Sequence, residues 1–383
     1  LKILFGLTYY SPHVSGLTFT VQRLAEGLAE RGHQVTIITS GFNKELPAEE
    51  MAGKIRIVRV PVAFTISKGP IMPSYLSILT KLAREHDAGI LNLPCTPFES
   101  VMFPAIFRLV SRLAIGIVHC DLRLPAGRFN RLVDAVVFTC GLFAGSLLDK
   151  MVTYTLDYAR NSPLLRLFPT KRLGIAPPVV IPTPDPAKVE EFRKRHVSDG
   201  QILIGFPCRF ATEKGVEVLL SAYPSICRQL GRVKVVFAGE YRNVIGEEDY
   251  IARLMPEITK LGSDRWEFLG VLSPEEMANF FAACDVTVLP SLNRTESFGL
   301  VQVESMLCGT PVIASNLPGV RIPVKSTGMG RIVPPGDAEA LAQAVVEVVS
   351  NEKLFLRSRA EIETLFSLGK SVTEYESLLS SLL

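Results

Sequence analysis

The sequence predicts an α/β protein of two doubly wound, parallel-sheet, Rossmann-like domains. Three observations lead there. A strand–helix–strand unit fills the first forty residues, the same alternation restarts after residue 200, and five prolines crowd residues 177–186 between them. A crossover helix between neighbouring strands requires a parallel sheet. With 383 residues, 48 % hydrophobic and 21 % charged, the chain can bury two cores, and its composition excludes a disordered or collagen-like class.

Taken in order, residues 1–7 form an apolar strand that leads into a polar loop ending at Ser15-Gly16. Val21, Leu24, Ala25, Leu28 and Ala29, spaced by three and four, predict a helix, and Arg31-Gly32-His33 stops it. Val35–Ile38 is the next strand, followed by candidates at 54–60, 88–93 and 114–118. In the second half, strands are expected at 202–206, 233–238, 266–269, 286–289 and 311–314, with helices at 215–228 and 274–283. Prolines 177, 178, 182, 184 and 186 suit neither a helix interior nor an inner strand, so the boundary falls near 180, giving domains 1–180 and 181–383. The last segment, 337–383, reads as helical, and its final helix either stays with the second domain or returns to the first. Two such domains leave a cleft at the carboxyl ends of their strands, where open α/β sheets bind ligands.

Charge and cysteine content narrow the function. Residues 1–185 carry 20 Lys+Arg against 13 Asp+Glu, a net +7, and residues 186–383 carry 21 against 25, a net −4. A basic half can meet an anionic ligand or surface, but without a Lys/Arg run interleaved with aromatics it does not point to nucleic acid. The seven cysteines are scattered and include no C-x-x-C pair, which argues against a disulfide scaffold or structural zinc and suits a reducing cytoplasm. No leader is expected, because Leu1–Phe5 opens directly into a strand. No transmembrane helix is expected either, because no window of eighteen residues is wholly uncharged and apolar.

Two loops carry candidate chemistry. Thr295-Glu296-Ser297-Phe298-Gly299-Leu300 follows the strand at 286–289, and a helix is expected to begin near Gly299. Backbone N–H groups at such a helix start suit a phosphate, and Glu304, one to two turns in, can accept both hydroxyls of a ribose. On pattern alone Glu304 could equally be a solvated helix residue and Glu296 a capping group. Arg209 and Lys214, five residues apart on the loop after the strand at 202–206, can place two cations on one diphosphate, or form an ordinary surface pair. The chain has no D-x-D pair to hold a divalent metal, so Arg209 and Lys214 are the evident counter-charge for a departing nucleoside diphosphate. His119 follows the strand at 114–118, a position that also suits a packed or surface histidine.

Glu296-x7-Glu304 around Ser-Phe-Gly-Leu resembles the E-x7-E signature of retaining family 4 glycosyltransferases of the GT-B type. Arg209-Phe210-Ala211-Thr212-Glu213-Lys214-Gly215 is similar to that family's Arg-x4-Lys-Gly loop. Residues 24–35, 268–270, 283–291, 308–315 and 333–337 also resemble family positions, in the family's order and spacing. The resemblance implies that Arg209 and Lys214 bind the donor diphosphate with the backbone of Phe298, Gly299 and Leu300. It gives the ribose hydroxyls to Glu304, donor-sugar hydroxyls to Glu296, an active-site role near the sugar to His119, and donor-phosphate contact to Gly16. Asp121 would orient His119 or touch the acceptor. Two departures stand out. Ser15-Gly16 replaces Gly-Gly, and the Ser15 Cβ would hinder a positive φ; Pro318-Gly319-Val320-Arg321 replaces Gly-Gly-x-x-Glu.

The implied reaction is metal-independent, cofactor-free hexosyl transfer with retention, from a UDP-sugar first and a GDP-sugar next, to a hydroxyl. Residues 98–148 are rich in large apolar groups interspersed with Arg108, Arg112, Arg123, Arg128 and Arg131. Such helices either cover a parallel sheet or lie in an anionic membrane interface. The second reading favours a lipid or lipid-linked glycan acceptor and a cytoplasmic enzyme peripheral on the inner face of the cell membrane. The alternatives are a transferase acting on a soluble small molecule and a silent nucleotide-sugar-binding protein; loss of Glu296 or His119 would mark the latter, and both are present. A two-domain NAD dehydrogenase lacks its G-x-G-x-x-G with a downstream acid.

Overall fold

The computed structural model describes residues 1–383 apart from 14, 67, 68, 123–126 and 245, and the side chains of 128 and 129 are likewise not described. Arg123 and the Arg128 side chain, named above among the basic neighbours, therefore lie outside the described residues. The chain divides into two units, Leu1–Pro178 with Leu368–Leu383, and Val179–Ser367. The division lies two residues before the expected one. The second unit ends at Ser367, because the last helix packs with the first unit.

The first unit is built on an eight-stranded sheet. Its strands are β1 (Lys2–Gly6), β2 (Gln34–Gly41), β3 (Glu49–Ala52) and β4 (Ile55–Pro61), then, after a small hairpin of β5 (Phe64–Ile66) and β6 (Gly69–Ile71), β7 (Ala88–Leu93), β8 (Leu113–Val118), β9 (Lys150–Thr153) and β10 (Arg172–Gly174). The spatial order is β10-β9-β8-β7-β1-β2-β4-β3, parallel except for the edge pair β3–β4. Its inner strands read as unbroken apolar runs because helices cover both faces. These helices are α1 (Gly16–Glu30), α2 (Tyr75–Glu85), α3 (Pro97–Leu109), α4 (Arg128–Leu147) and α5 (Leu156–Asn161). One face buries Ile3, Phe5, Leu24, Leu28, Ile90 and Ile115, the other Leu4, Leu79, Leu91, Phe103 and Phe107.

The second unit contains a six-stranded parallel sheet of β11 (Ile202–Pro207), β12 (Val233–Ala238), β13 (Trp266–Gly270), β14 (Val286–Leu289), β15 (Val312–Ser315) and β16 (Gly330–Val333), in the order β13-β12-β11-β14-β15-β16. Its helices are α6 (Pro186–His196), α7 (Val216–Leu230), α8 (Glu248–Leu261), α9 (Pro274–Ala283), α10 (Leu300–Leu307), α11 (Arg321–Thr327), α12 (Ala338–Ser350), α13 (Glu352–Phe355) and α14 (Arg359–Leu365). Their starts follow local chemistry. Asp185 caps α6 ahead of Pro186, and Ser273 with Glu276 forms a full capping box ahead of α9.

The final helix, α15 (Leu368–Leu382), seats Val372, Tyr375 and Leu379 in the core beside α1. Gly27 makes room for it, since a Cβ there would lie 2.6 Å from Val372 Cγ2. At the surface, the Glu376 carboxylate meets Arg31 and lies 2.8 Å from His33 Nε2. The interactions that anchor this helix come from residues far away in sequence, from Ala176, 195 positions before Ser371, to Arg31, 345 positions before Glu376, so the sequence alone leaves its domain open.

In both sheets the strand order reverses once along the chain, between β1 and β7 in the first unit and between β11 and β14 in the second. At such switch points adjacent loops diverge from the carboxyl ends of neighbouring strands and leave a crevice that suits a ligand. Gly16, Arg209, Lys214 and Glu296 lie on the connections that flank these two points, and His119 follows β8, the strand beside β7.

Candidate active site

In the second unit, the loops after β11 and β14 are fastened to each other. Leu292 N–H donates to Glu213 O at 2.9 Å, and Gly215 adopts φ +69° with Pro290 O only 2.2 Å from where a Cβ would stand. That left-handed glycine ends the short helical turn Thr212–Lys214 and starts α7, so Lys214 points back across the strand ends. Its ammonium donates to Glu296 Oε2 at 2.6 Å, and both side chains are largely buried. Burial opposes the charge on Lys214, but the Glu296 carboxylate outweighs it and holds the ammonium's pKa above its usual value. The cation of one loop and the carboxylate of the other, 82 residues apart in sequence, thus form one site. Arg209 is more exposed and donates from Nη2 to Glu213 Oε1 at 3.1 Å.

The E-x7-E segment folds as expected. Gly299, at φ +76°, provides no side-chain cap, and α10 begins at Leu300 with Glu304 half-buried at its fifth residue. Glycine suits position 299, because φ +76° lies in the left-handed region and a Cβ would press on Leu289 Cδ2 at 2.4 Å. Phe298 is buried edge-on against Phe366. Ser305 donates to Thr310 O and meets Thr287 Oγ1 on β14, fixing the depth of α10.

Two positioning groups escaped the sequence reading. Gln302, fully buried, donates from Nε2 to Phe298 O at 2.7 Å and to Val320 O at 2.9 Å, tying the Glu296 loop to the segment before α11. A glutamine inside the apolar run Leu300–Leu307 was the available signal. Glu247 accepts from the backbone N–H and hydroxyl of Thr212, bracing the Arg209–Gly215 loop; nothing in sequence marks it.

In the first unit, Gly16 is the exposed first residue of α1. Ser15 is that helix's N-cap, with φ −158° and Oγ accepting from Thr18 N–H at 3.1 Å. The replacement of a glycine at position 15 therefore meets no positive φ, and the serine supplies a cap instead. Glu99, buried, accepts from Thr8 Oγ1 and from the N–H and hydroxyl of Thr96, joining the loops after β1 and β7 across the switch point.

His119 directly follows β8 and is buried. Asn92 donates from Nδ2 to Gly6 O, which turns Oδ1 toward His119 Nε2 at 2.9 Å and makes Nε2 the protonated nitrogen. Nδ1 then accepts from the Tyr154 hydroxyl. Burial lowers the His119 pKa to about 3, so the ring is neutral at physiological pH and suited to positioning rather than proton transfer. Asp121 accepts from Tyr158 Oη and Ser162 Oγ at 3.0 and 2.7 Å.

A stability prediction follows from His119. A folded pKa below the unfolded value favours the native state above pH 6.5, and that contribution is lost as the pH falls from 6.5 toward 3. Between pH 7 and pH 5 the loss from this residue is about 2 kcal/mol by linkage. In urea titrations at the two pH values, His119→Gln should show a stability difference smaller by about that amount; an unchanged difference would contradict the buried neutral ring.

Comparison with known proteins concerns the fold and the class of protein. A family model described as glycosyl transferases group 1 matches residues 188–363, and one described as glycosyltransferase family 4 matches residues 14–140. The 2-deoxystreptamine N-acetyl-D-glucosaminyltransferase of Streptomyces fradiae is 28 % identical over 370 residues, 88 % of this chain and 83 % of the relative. The phosphatidyl-myo-inositol mannosyltransferase of Mycolicibacterium smegmatis is 24 % identical over 350 residues, 88 % of this chain and 82 % of the relative. Among solved structures, Anabaena HepE in complex with UDP is similar over 100 % of both chains, with TM-score 0.77 at 19 % identity. The sucrose-phosphate synthase of Thermosynechococcus elongatus has TM-score 0.76, also at 19 % identity, over 100 % of this chain and 99 % of that one. The fold is that of the two-domain GT-B glycosyltransferases. The chain is a glycosyltransferase, matched in each half by a glycosyltransferase family model.

Proposed function

We propose that this glycosyltransferase moves a hexose from a UDP-sugar to a hydroxyl of a lipid or lipid-linked glycan, with retention at the anomeric carbon and without a divalent metal. The observation that carries this reading is the Lys214–Glu296 pair, which sets a diphosphate-binding cation beside a carboxylate able to hold sugar hydroxyls. In the proposed step the bond from the anomeric carbon to the donor phosphate breaks while a bond to the acceptor oxygen forms on the same face. The acceptor proton passes to the departing phosphate oxygen, and UDP leaves. Lys214 and Arg209 stabilise the charge that develops on the diphosphate, assisted by the start of α10. Glu304 holds the ribose, and Gly16 gives the donor phosphate close access to the backbone at the start of α1. His119, neutral and clamped, acts as a positioning group near the sugar.

The relatives support both acceptor classes. One is named for a phosphatidylinositol acceptor and another for 2-deoxystreptamine, so a small polar acceptor is the second reading. A uridine donor is supported by HepE, whose structure holds UDP. We place the enzyme in the cytoplasm, peripheral on the inner face of the membrane.

The test is nucleotide release from UDP-, GDP- and ADP-sugars in EDTA, with a bacterial lipid extract or with soluble aminocyclitols. Release of UDP, raised by the lipid and undiminished by EDTA, is the expected result. Dependence on added magnesium would overturn the metal-independent mechanism, and stimulation by the aminocyclitol alone would favour the second reading.

A further inference from the structure

We infer that the outward face of α4 is a membrane-contact surface that lies flat on an anionic phospholipid bilayer. This rests on the proposed peripheral enzyme and assigns the surface it would use. Residues Asn130–Leu147 form a helix long and apolar enough to cross a bilayer by length and composition, although Arg131 and Asp134 keep it outside the uncharged window sought in the sequence. Only 17 % of that span is buried, which is unusual for a helix covering a parallel sheet.

The helix is seated on the first unit by a narrow inner stripe. Ala144 is fully buried, and Gly141 and Gly145 press on neighbours, with would-be Cβ atoms 3.2 Å from Leu164 Cδ2 and 2.5 Å from Phe168 Cε2. A helix held in this way rests on the domain rather than leaving it to span a membrane. The opposite face exposes Leu132, Val136 and Phe143, with Leu132 and Phe143 each about 60 % exposed, and Phe138 is exposed on the flank.

The polar groups on this face are already satisfied within the helix. Thr139 Oγ1 donates to Ala135 O at 2.8 Å, and Ser146 Oγ donates to Phe143 O at 2.7 Å, the internal pairing that lets a hydroxyl enter an apolar medium. At the far end, the Lys171 ammonium donates to Gly145 O, Ser146 O and Leu148 O, so the last carbonyls are satisfied as well.

Charge selects the occupant. Among the described residues, the exposed positions of α4 include Arg131 but no Asp or Glu. Arg108, exposed near the helix's end, adds a second cation that is only loosely met by Asp149 at 3.6 Å. A broad apolar face bordered by arginines suits acyl chains with anionic headgroups above them. A second copy of this chain would bring like charge against like charge there.

The experiment is flotation of the full chain with phosphatidylcholine vesicles, with and without phosphatidylglycerol, alongside the Leu132→Ser/Phe143→Ser double variant and Arg131→Gln. No nucleotide-sugar is needed. The chain should float with the phosphatidylglycerol vesicles. The double variant should lose most of that binding at an unchanged thermal midpoint, since both side chains are exposed. Arg131→Gln should lose about fivefold, on the scale of one basic residue at a charged surface. Absence of flotation, flotation unaltered by the double variant, or a stable dimer in buffer that the variant dissociates would each overturn the inference. Turnover of a detergent-solubilised lipid acceptor without vesicle binding would sink this surface and leave the transferase reading intact. Vesicle binding without turnover on any donor would do the reverse.

Discussion

Glu296→Gln should bind UDP at least as tightly as the parent chain and yet lose most of its turnover. In the structure the Lys214 ammonium is engaged by the Glu296 carboxylate at 2.6 Å, in surroundings that leave little room for water. A donor diphosphate must therefore compete with a charge the protein already provides. Removing that charge frees the cation for phosphate while depriving the donor sugar of the carboxylate proposed to hold its hydroxyls. Lys214→Ala acts on the other partner. It removes a cation aimed at the leaving group, and by the precedent of oxyanion-stabilising donors it should cost about 2.7–4 kcal/mol in kcat/KM, on the order of a hundred- to a thousand-fold. It should weaken UDP binding as well. Calorimetric titration with UDP and initial rates on both variants separate the effects. Equal losses of UDP affinity and turnover in Glu296→Gln would contradict the assignment, as would an unchanged kcat/KM in Lys214→Ala.

The same pair shows how far the sequence could be read. Both of its members were legible, because a strand, a polar loop with a glycine and an apolar helix recur around each of them. The alternative in which Glu296 merely caps a helix gives way to a contact across 82 residues, since Gly299 and not Glu296 is the N-cap of α10. The contact itself was not legible, because it depends on β11 and β14 lying side by side, and strand order is a tertiary property. Gln302 and Glu247 escaped for the same reason. Each works through backbone groups of a distant loop, and single-residue chemistry does not reveal the partner. The short strands β3, β5, β6, β9, β10 and β16 went unrecognised, because runs of three or four residues carry too little alternation to separate them from loops; β14 and β15 are as short, but their β-branched apolar runs mark them. His119 is a different case. Its place after a strand was plain, but its neutral, clamped state depends on Asn92 and Tyr154, which lie on either side of it in sequence and meet only in the folded sheet.

Gly215→Ala should damage the enzyme far more than a surface glycine substitution with the same backbone angle, and Gly200→Ala provides the control. Both glycines sit at φ +69°. In each, alanine carries the cost of the left-handed region, about 1–2 kcal/mol for a residue with a Cβ. They differ in surroundings. No atom lies within 4 Å of a Cβ at position 200, whereas at 215 the Cβ would stand 2.2 Å from the backbone oxygen of Pro290. A backbone carbonyl cannot turn aside as a flexible side chain can, so the loop after β11 or the loop after β14 must shift. Either movement pulls Lys214 from Glu296, because those two loops carry the two side chains. Gly215→Ala should therefore lose more stability than Gly200→Ala in urea titration and also lose turnover, while Gly200→Ala keeps full turnover. Equal stability losses in the two variants would show that the Pro290 contact relaxes freely. Full turnover in a destabilised Gly215→Ala would show that the spacing of the two loops does not govern the chemistry.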